Sequence, residues 1–537
     1  MSQNGLAPPI RRALDRLSSD LIVSRIWDKD PTVWRDDGED QSEFVDRLGW
    51  LDAPSEMLGE ADAIAAFADQ VRDDGIRHVV VLGMGGSSLC PEVLRASFGS
   101  APGFPELVVL DSTVPATVER VARAIDPART LFIVSSKSGT TTEPLSFLHY
   151  FHEVVAGTVV ADVGASFAAI TDPGTPLESL AGEMGFRHVF RAAADVGGRY
   201  SALTDFGIVP AALIGLDIRK LLKRGESMAG ECAPDVAIDE NPGTLLGAAL
   251  GGWYGEGRDK LTFITSPALE RFGLWAEQLI AESTGKDGRG ILPIAMEPMA
   301  GAESYGDDRL FAYLRLDGDD NAATDVHMAE LESVGHPVLR ENLADLYDLG
   351  ASFYRWEFAT AVAGMLLGIH PFNQPNVQGS KDSTVLLLSE YESTGRLPDL
   401  KSGHTLGSLV DEANAGDYVA IMVYLDESSE MDAAVAGLRR ALLERHRLPS
   451  TLGYGPRFLH STGQLHKGGK QNGLFLQIVG ADYESVPIPG ESYGFDVLVA
   501  AQSAGDFQVL NHRGLRVARV ELSGDYPARL LSLSEGI

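Results

Sequence analysis

Short apolar runs alternate with longer stretches of helical period along most of the chain, and this alternation predicts the fold. A helical pattern over about 58–73 leads into the apolar run 78–82, followed by a glycine turn and a further helical stretch. Runs at 107–110, 131–134, 167–170 and 188–190 follow, with helices over 114–125 and 142–155 between them. Brief aliphatic runs separated by helical periods describe strands covered on both faces, as in a parallel sheet. A second unit begins near 226, with a helix over 243–253, a strand at 261–264, a helix over 267–283, a strand at 291–295 and a long helix within 340–368. A third starts near Ser402, with strands at 417–424 and 474–478 flanking a helix over 430–446.

The expected organisation is therefore α/β throughout. An extension over 1–55 precedes a first domain at 56–225, a second at 226–400 and a smaller third at 401–537. Residues 6–23 of the extension are amphipathic, and Trp27, Trp34 and Trp50 need a surface to lie on, so the extension is expected to wrap the core. The similar layout of the first two units makes a structural duplication plausible.

Charge narrows the function. The 537 residues carry 44 Lys+Arg against 76 Asp+Glu, a net charge of −32, which argues against a nucleic-acid or anionic-membrane surface. Cys90 and Cys232 are too few for a disulfide framework or a four-Cys zinc site. There is no signal-like N-terminus and no run of about 18 apolar residues, so a cytoplasmic protein is expected. Ten of the 44 basic residues are Lys, leaving 44 − 10 = 34 Arg, and a Lys inside a loop of small polar residues therefore carries weight.

Ligands of open α/β sheets sit at the carboxyl ends of the strands. The loop Gly83-Met84-Gly85-Gly86-Ser87-Ser88 allows a close backbone approach before a helix, and reads either as a phosphate site or as a bare turn. It lacks the third glycine of a dinucleotide fingerprint, and no acidic residue clearly follows at the end of the next strand for a ribose, Asp111 being the nearest candidate. After the run 131–134, Ser135-Ser136-Lys137-Ser138-Gly139-Thr140-Thr141-Thr142 packs six hydroxyls, one Lys and one Gly at a helix start. An N-cap needs one or two hydroxyls, whereas a phosphate has three oxygens to satisfy. The order of a nucleotide P-loop is absent. Gly197-Gly198-Arg199-Tyr200-Ser201 presents a planar cation from a tight turn, suited to an anionic enediol-like intermediate.

Gln278 and Glu282 share one helix face near its end, where the dipole does not favour a carboxylate and a raised pKa suits a general base or acid. The loop 370–381, from His370 through Gln374 to Lys381, is stiffened by two prolines and looks like a substrate wall. The segment 460–469 holds His460, His466 and Lys467 beside glycines; without a third ligand at metal spacing it reads as an anion site or a polar loop.

These loops occur in the order and wording of glucose-6-phosphate isomerase, a family built of two sugar-isomerase (SIS) domains. The segments 197–201 and 282–286 and the stretch from Asn373 to Lys381 carry the resemblance, which covers about 75–400. The extension and the third domain resemble the isomerase half of bifunctional transaldolase/glucose-6-phosphate isomerase proteins. A transaldolase half would need a separate barrel, for which no residues of this chain are left. The resemblance implies two three-layer αβα SIS domains with parallel sheets, no cofactor, no metal and a homodimer. It places the sugar phosphate on Gly86, Ser87, Ser136, Lys137, Ser138 and Thr141. Glu282 would move the proton between C1 and C2, Arg199 would stabilise the cis-enediol(ate), Gln278 and Gln374 would line the site, and Lys381 would assist ring opening. The ring-opening His has no match in the family's wording: His370 and His466 are the candidates, or a second subunit supplies it. A phosphosugar-binding regulator on the same fold, or an isomerase also accepting mannose 6-phosphate, are the alternative readings.

Overall fold

The computed structural model describes residues 6–34, 44, 46–158 and 162–537. Strands β1 (His78–Gly83), β2 (Glu106–Leu110), β3 (Thr130–Ser135), β4 (Phe167–Thr171) and β5 (His188–Arg191) form a parallel sheet of order β2-β1-β3-β4-β5. Its alternation is buried on both sides. Val79, Val81 and Ile133 face one apolar core, whereas Val80, Leu82, Phe132 and Val134 face another.

Strands β6 (Lys260–Thr265), β7 (Leu292–Ile294), β8 (Arg309–Leu316) and β9 (Val338–Leu343) make a second parallel sheet of order β7-β6-β8-β9. The long helix expected within 340–368 is Leu349–Leu367, and it is preceded by an edge strand, Val338–Leu343, that the sequence pattern did not announce. Arg340, Glu341 and Asn342 give that strand no apolar run, because only its last residue, Leu343, is fully buried. The third sheet comprises β10 (Tyr418–Tyr424), β11 (Ser450–Tyr454), β12 (Gly473–Gly480) and β13 (Arg516–Leu522), in the order β11-β10-β12-β13.

Packing runs across the segments. The helix Gln378–Thr394 lies against the helix Phe495–His512, and Leu387, Leu388, Phe495 and Leu498 join the core under Val80 and Phe132. The third unit thus covers a face of the first sheet. In the extension, Trp27 Nε1 donates to the Cys232 carbonyl at 2.9 Å and Trp34 Nε1 to that of Ala361 at 2.8 Å. Trp50, fully buried, stacks on Tyr200. No described helix is long and apolar enough to cross a membrane.

Candidate active site

Register brings the loops together. Gly83 pairs with Ser135, and Ser135 with Ile170, so the loops after β1, β3 and β4 leave the carboxyl edge side by side. The turn after β3 folds back on itself: Ser136 Oγ donates to Thr141 Oγ1 at 3.1 Å, and Gly139 sits at φ +66°. Thr141 caps the helix Thr142–Ala156 without a side-chain bond to it, which leaves the first-turn N–H groups facing the turn. Gly86 must be glycine, because a Cβ there would lie 2.0 Å from the Gly198 carbonyl oxygen. That contact seats the first loop directly on the loop of Arg199.

A cavity of roughly 350 Å³ opens where these loops meet. Gly86, Ser87, Ser136, Lys137, Ser138, Thr141, Arg199, Gln278, Glu282, Gln374 and Lys381 all line it. Glu282 and Arg199 are almost fully buried, with Arg199 Nε 3.8 Å from Glu282 Oε2. Arg199 Nη2 donates to the carbonyls of Phe372 at 2.6 Å and Asn373 at 3.1 Å, which turns the guanidinium. Its Nη1 is buried and has no hydrogen-bond partner among the described residues, and neither has Gln278 Oε1. Such orphans cost about 1–3 kcal/mol each, a cost that a ligand oxygen or hydroxyl would offset. Gln278 Nε2 bridges Glu282 Oε2 at 3.2 Å and the His460 carbonyl at 2.8 Å. Burial lifts the Glu282 carboxyl above its ordinary value, against the opposing pull of Arg199, His460, Lys286 and Gln278.

Lys137 lines the cavity with its amine already engaged. Nζ donates to Asp172 at 2.6 Å and to the carbonyls of Ala193 at 3.3 Å and Ala194 at 3.2 Å. Burial pushes its pKa down, although Asp172 works the other way. The side chain is a strut tying the hydroxyl turn to the ends of β4 and β5. Lys137→Met should lower unfolding stability by about 1–3 kcal/mol, measured by urea titration, together with a rise in KM for a phosphosugar; unchanged stability would contradict the strut.

Neither histidine singled out in the sequence lines the cavity. His370 stacks on Phe44, ring centroids 3.6 Å apart, and its Nδ1 accepts from the Phe372 N–H. His466 is buried beside Phe458 and Phe475, and burial holds its pKa down at about 3, so it stays neutral. His460 lines the cavity instead, and its Nε2 is 3.0 Å from Glu143 Oε1. Burial alone would raise the Glu143 carboxyl, but His460 brings it below its ordinary value. Gln502 Nε2 also reaches Glu143, at 2.7 Å, and Thr113 Oγ1 donates to Gln502 Oε1 at 2.6 Å. Sequence reasoning placed His460 in a segment that read as an anion site or a polar loop and did not single it out for ring opening; Arg47 and Asp172, also in the lining, carried no local motif. Asp111, the nearest candidate for a ribose contact, is engaged by Arg457 at 2.8 and 2.9 Å. Among the described residues no group of His, Cys, Asp and Glu forms a metal-binding cluster.

The parallel sheets, the hydroxyl-lined turn at a strand end and the buried carboxylate–guanidinium pair define an α/β protein of the sugar-isomerase class. The phosphoglucose isomerase family model matches residues 64–291, which include the hydroxyl turn, Arg199 and Glu282. The chain is similar to glucose-6-phosphate isomerases and is an isomerase. Glucose-6-phosphate isomerase of Staphylococcus saprophyticus is 27% identical over 389 residues, 64% of this chain and 87% of the relative. That of Trichormus variabilis is 26% identical over 415 residues, 68% of this chain and 78% of the relative. In fold, a hypothetical protein of Thermus thermophilus superposes with a TM-score of 0.58 at 24% identity, covering 72% of this chain and 98% of that one. A glucose-6-phosphate isomerase of Chlamydia trachomatis gives 0.52 at 21%, covering 70% and 79%.

Proposed function

We propose that the chain interconverts glucose 6-phosphate and fructose 6-phosphate through a cis-enediol(ate). One observation carries the reading: Glu282 and Arg199, whose buried Nη1 has no hydrogen-bond partner among the described residues, line the same cavity as the hydroxyl turn. A phosphate held on Ser136, Ser138, Thr141 and the backbone near Gly86 and Ser87 fixes one end of the sugar. Glu282 takes the proton from C2 and returns it to C1, with a pKa lifted by burial towards the working range of a base. Arg199 neutralises the developing oxyanion, and Gln278 and Gln374 hold the hydroxyls.

Ring opening falls to His460, oriented by Glu143 and assisted by Lys381. His460 belongs to the same chain as Glu282, so no second subunit is needed to bring an imidazole to the cavity. His460→Asn should lower kcat/KM about 100-fold on cyclic hexose phosphates. It should act far less on an aldose phosphate too short to close a ring, whereas His466→Phe should leave the ratio of the two rates unchanged. Equal losses on both substrates for His460→Asn would remove the ring-opening role.

The deciding experiment incubates the full chain with fructose 6-phosphate in D₂O and follows glucose 6-phosphate and deuterium at C2. Binding without turnover or exchange would favour a phosphosugar-binding regulator. Turnover of mannose 6-phosphate at a comparable rate would widen the substrate range.

A further inference from the structure

Among the described residues, the charges around the cavity leave two cations, Arg47 and Lys381, without an ion pair. Its lining holds Arg47, Lys137, Arg199 and Lys381 as cations, against Asp172 and Glu282. Lys137 is matched by Asp172 at 2.6 Å and Arg199 by Glu282 at 3.8 Å. Neither Arg47 nor Lys381 forms an ion pair with another described residue, whereas the other two cations of the lining do. A phosphate monoester brings a charge of about −1.5 to −2 at neutral pH. On a protein of net charge −32, that dianion needs local cations that outweigh a salt-screened unfavourable field.

Arg47 is held at the phosphate end by backbone pairing. Leu48 forms an antiparallel bridge with Val196, and the Gly49 N–H donates to the Asp195 carbonyl at 2.9 Å. A Cβ on Gly49 would lie 2.4 Å from an Asp195 carboxylate oxygen, so that side chain packs directly on the turn. The Arg47 side chain runs past Gly197, with its Cδ 3.5 Å from where a Cβ on that residue would sit. Its charge acts on both members of the Lys137–Asp172 pair. Among the described residues Arg47 Nη1 donates only to the neighbouring Asp46 carbonyl, at 3.0 Å, and the residue is half-exposed, so most of its planar donor edge can turn to a ligand.

We propose that Arg47, carried to the cavity by the N-terminal extension, is a phosphoryl-binding residue that pairs with the sugar phosphate beside the hydroxyl turn. This rests on the phosphosugar reading of the cavity and extends it. Lys137 then braces the turn, and the guanidinium supplies the charge-assisted contact that the engaged amine does not. Because the contact is made to a group remote from the reacting carbons, it is shared by ground and transition states.

The test measures dissociation constants of inorganic phosphate and fructose 6-phosphate by calorimetry, and isomerase kinetics, for the full chain. Arg47→Ala should weaken both ligands and raise KM about ten- to hundredfold, with kcat within about twofold. Arg47→Lys should fall between it and wild type. The KM of wild type should rise more steeply with salt than that of Arg47→Ala. Arg340→Ala, a charge loss on the edge of the second sheet, should change neither constant. Unaltered phosphate affinity in Arg47→Ala, or an equal change in Arg340→Ala, would overturn the proposal. If wild type binds phosphate but does not isomerise, the isomerase reading fails while the phosphate measurements still decide the role of Arg47.

Discussion

Glu282→Gln should reduce kcat by at least about 1,000-fold and abolish deuterium exchange at C2, while fructose 6-phosphate binding stays within about tenfold. The amide is isosteric and can still accept from Gln278, so the cavity keeps its shape while the proton carrier is lost. In wild type the acid limb of the kcat/KM profile should lie above the ordinary carboxylate range, because burial lifts the Glu282 carboxyl and activity requires its ionised form. An acid limb at the ordinary value, or exchange surviving in Glu282→Gln, would assign the base elsewhere.

Arg199→Met should cost about 100- to 1,000-fold in kcat with a smaller change in KM, since the cation is needed most when charge develops on the substrate oxygen. The same substitution removes the strongest of the interactions opposing the lift of the Glu282 carboxyl. The acid limb should therefore move to still higher pH, the direction expected when an anion loses its nearest cation. A kcat loss with the limb unmoved would separate the two groups. A rise in KM alone would make Arg199 a binding residue only. The carbonyls of Phe372 and Asn373 also lose their donor, so near-UV circular dichroism should accompany the kinetics to show that the loop is intact.

Local patterns were legible wherever the chemistry is local. The central strands of the first sheet, His78–Gly83 and Thr130–Ser135, stand out because both faces are buried around a continuous apolar run, whereas the edge strand Val338–Leu343 is half-exposed and has no such run. The dense hydroxyls of 135–142 and the spacing of Gln278 and Glu282 announced the turn and the helix face that the cavity brings together. What misled was direction. His466 and His460 are six residues apart in one polar segment, yet one points among Phe458 and Phe475 and the other reaches Glu143. Lys137 reads in sequence as a phosphate-holding cation, yet Asp172, 35 residues further on, engages its amine.

By itself the sequence determined the α/β layering, the loops that line the cavity and the residue types within them, because periodicity, glycine placement and hydroxyl density are properties of neighbouring positions. Only the tertiary structure decided which imidazole reaches the cavity, which amine is engaged and that Arg47 arrives from the extension. Those outcomes depend on pairings between segments as distant as Glu143 and His460 or Leu48 and Val196, whose hydrogen bonds and charges no local pattern encodes.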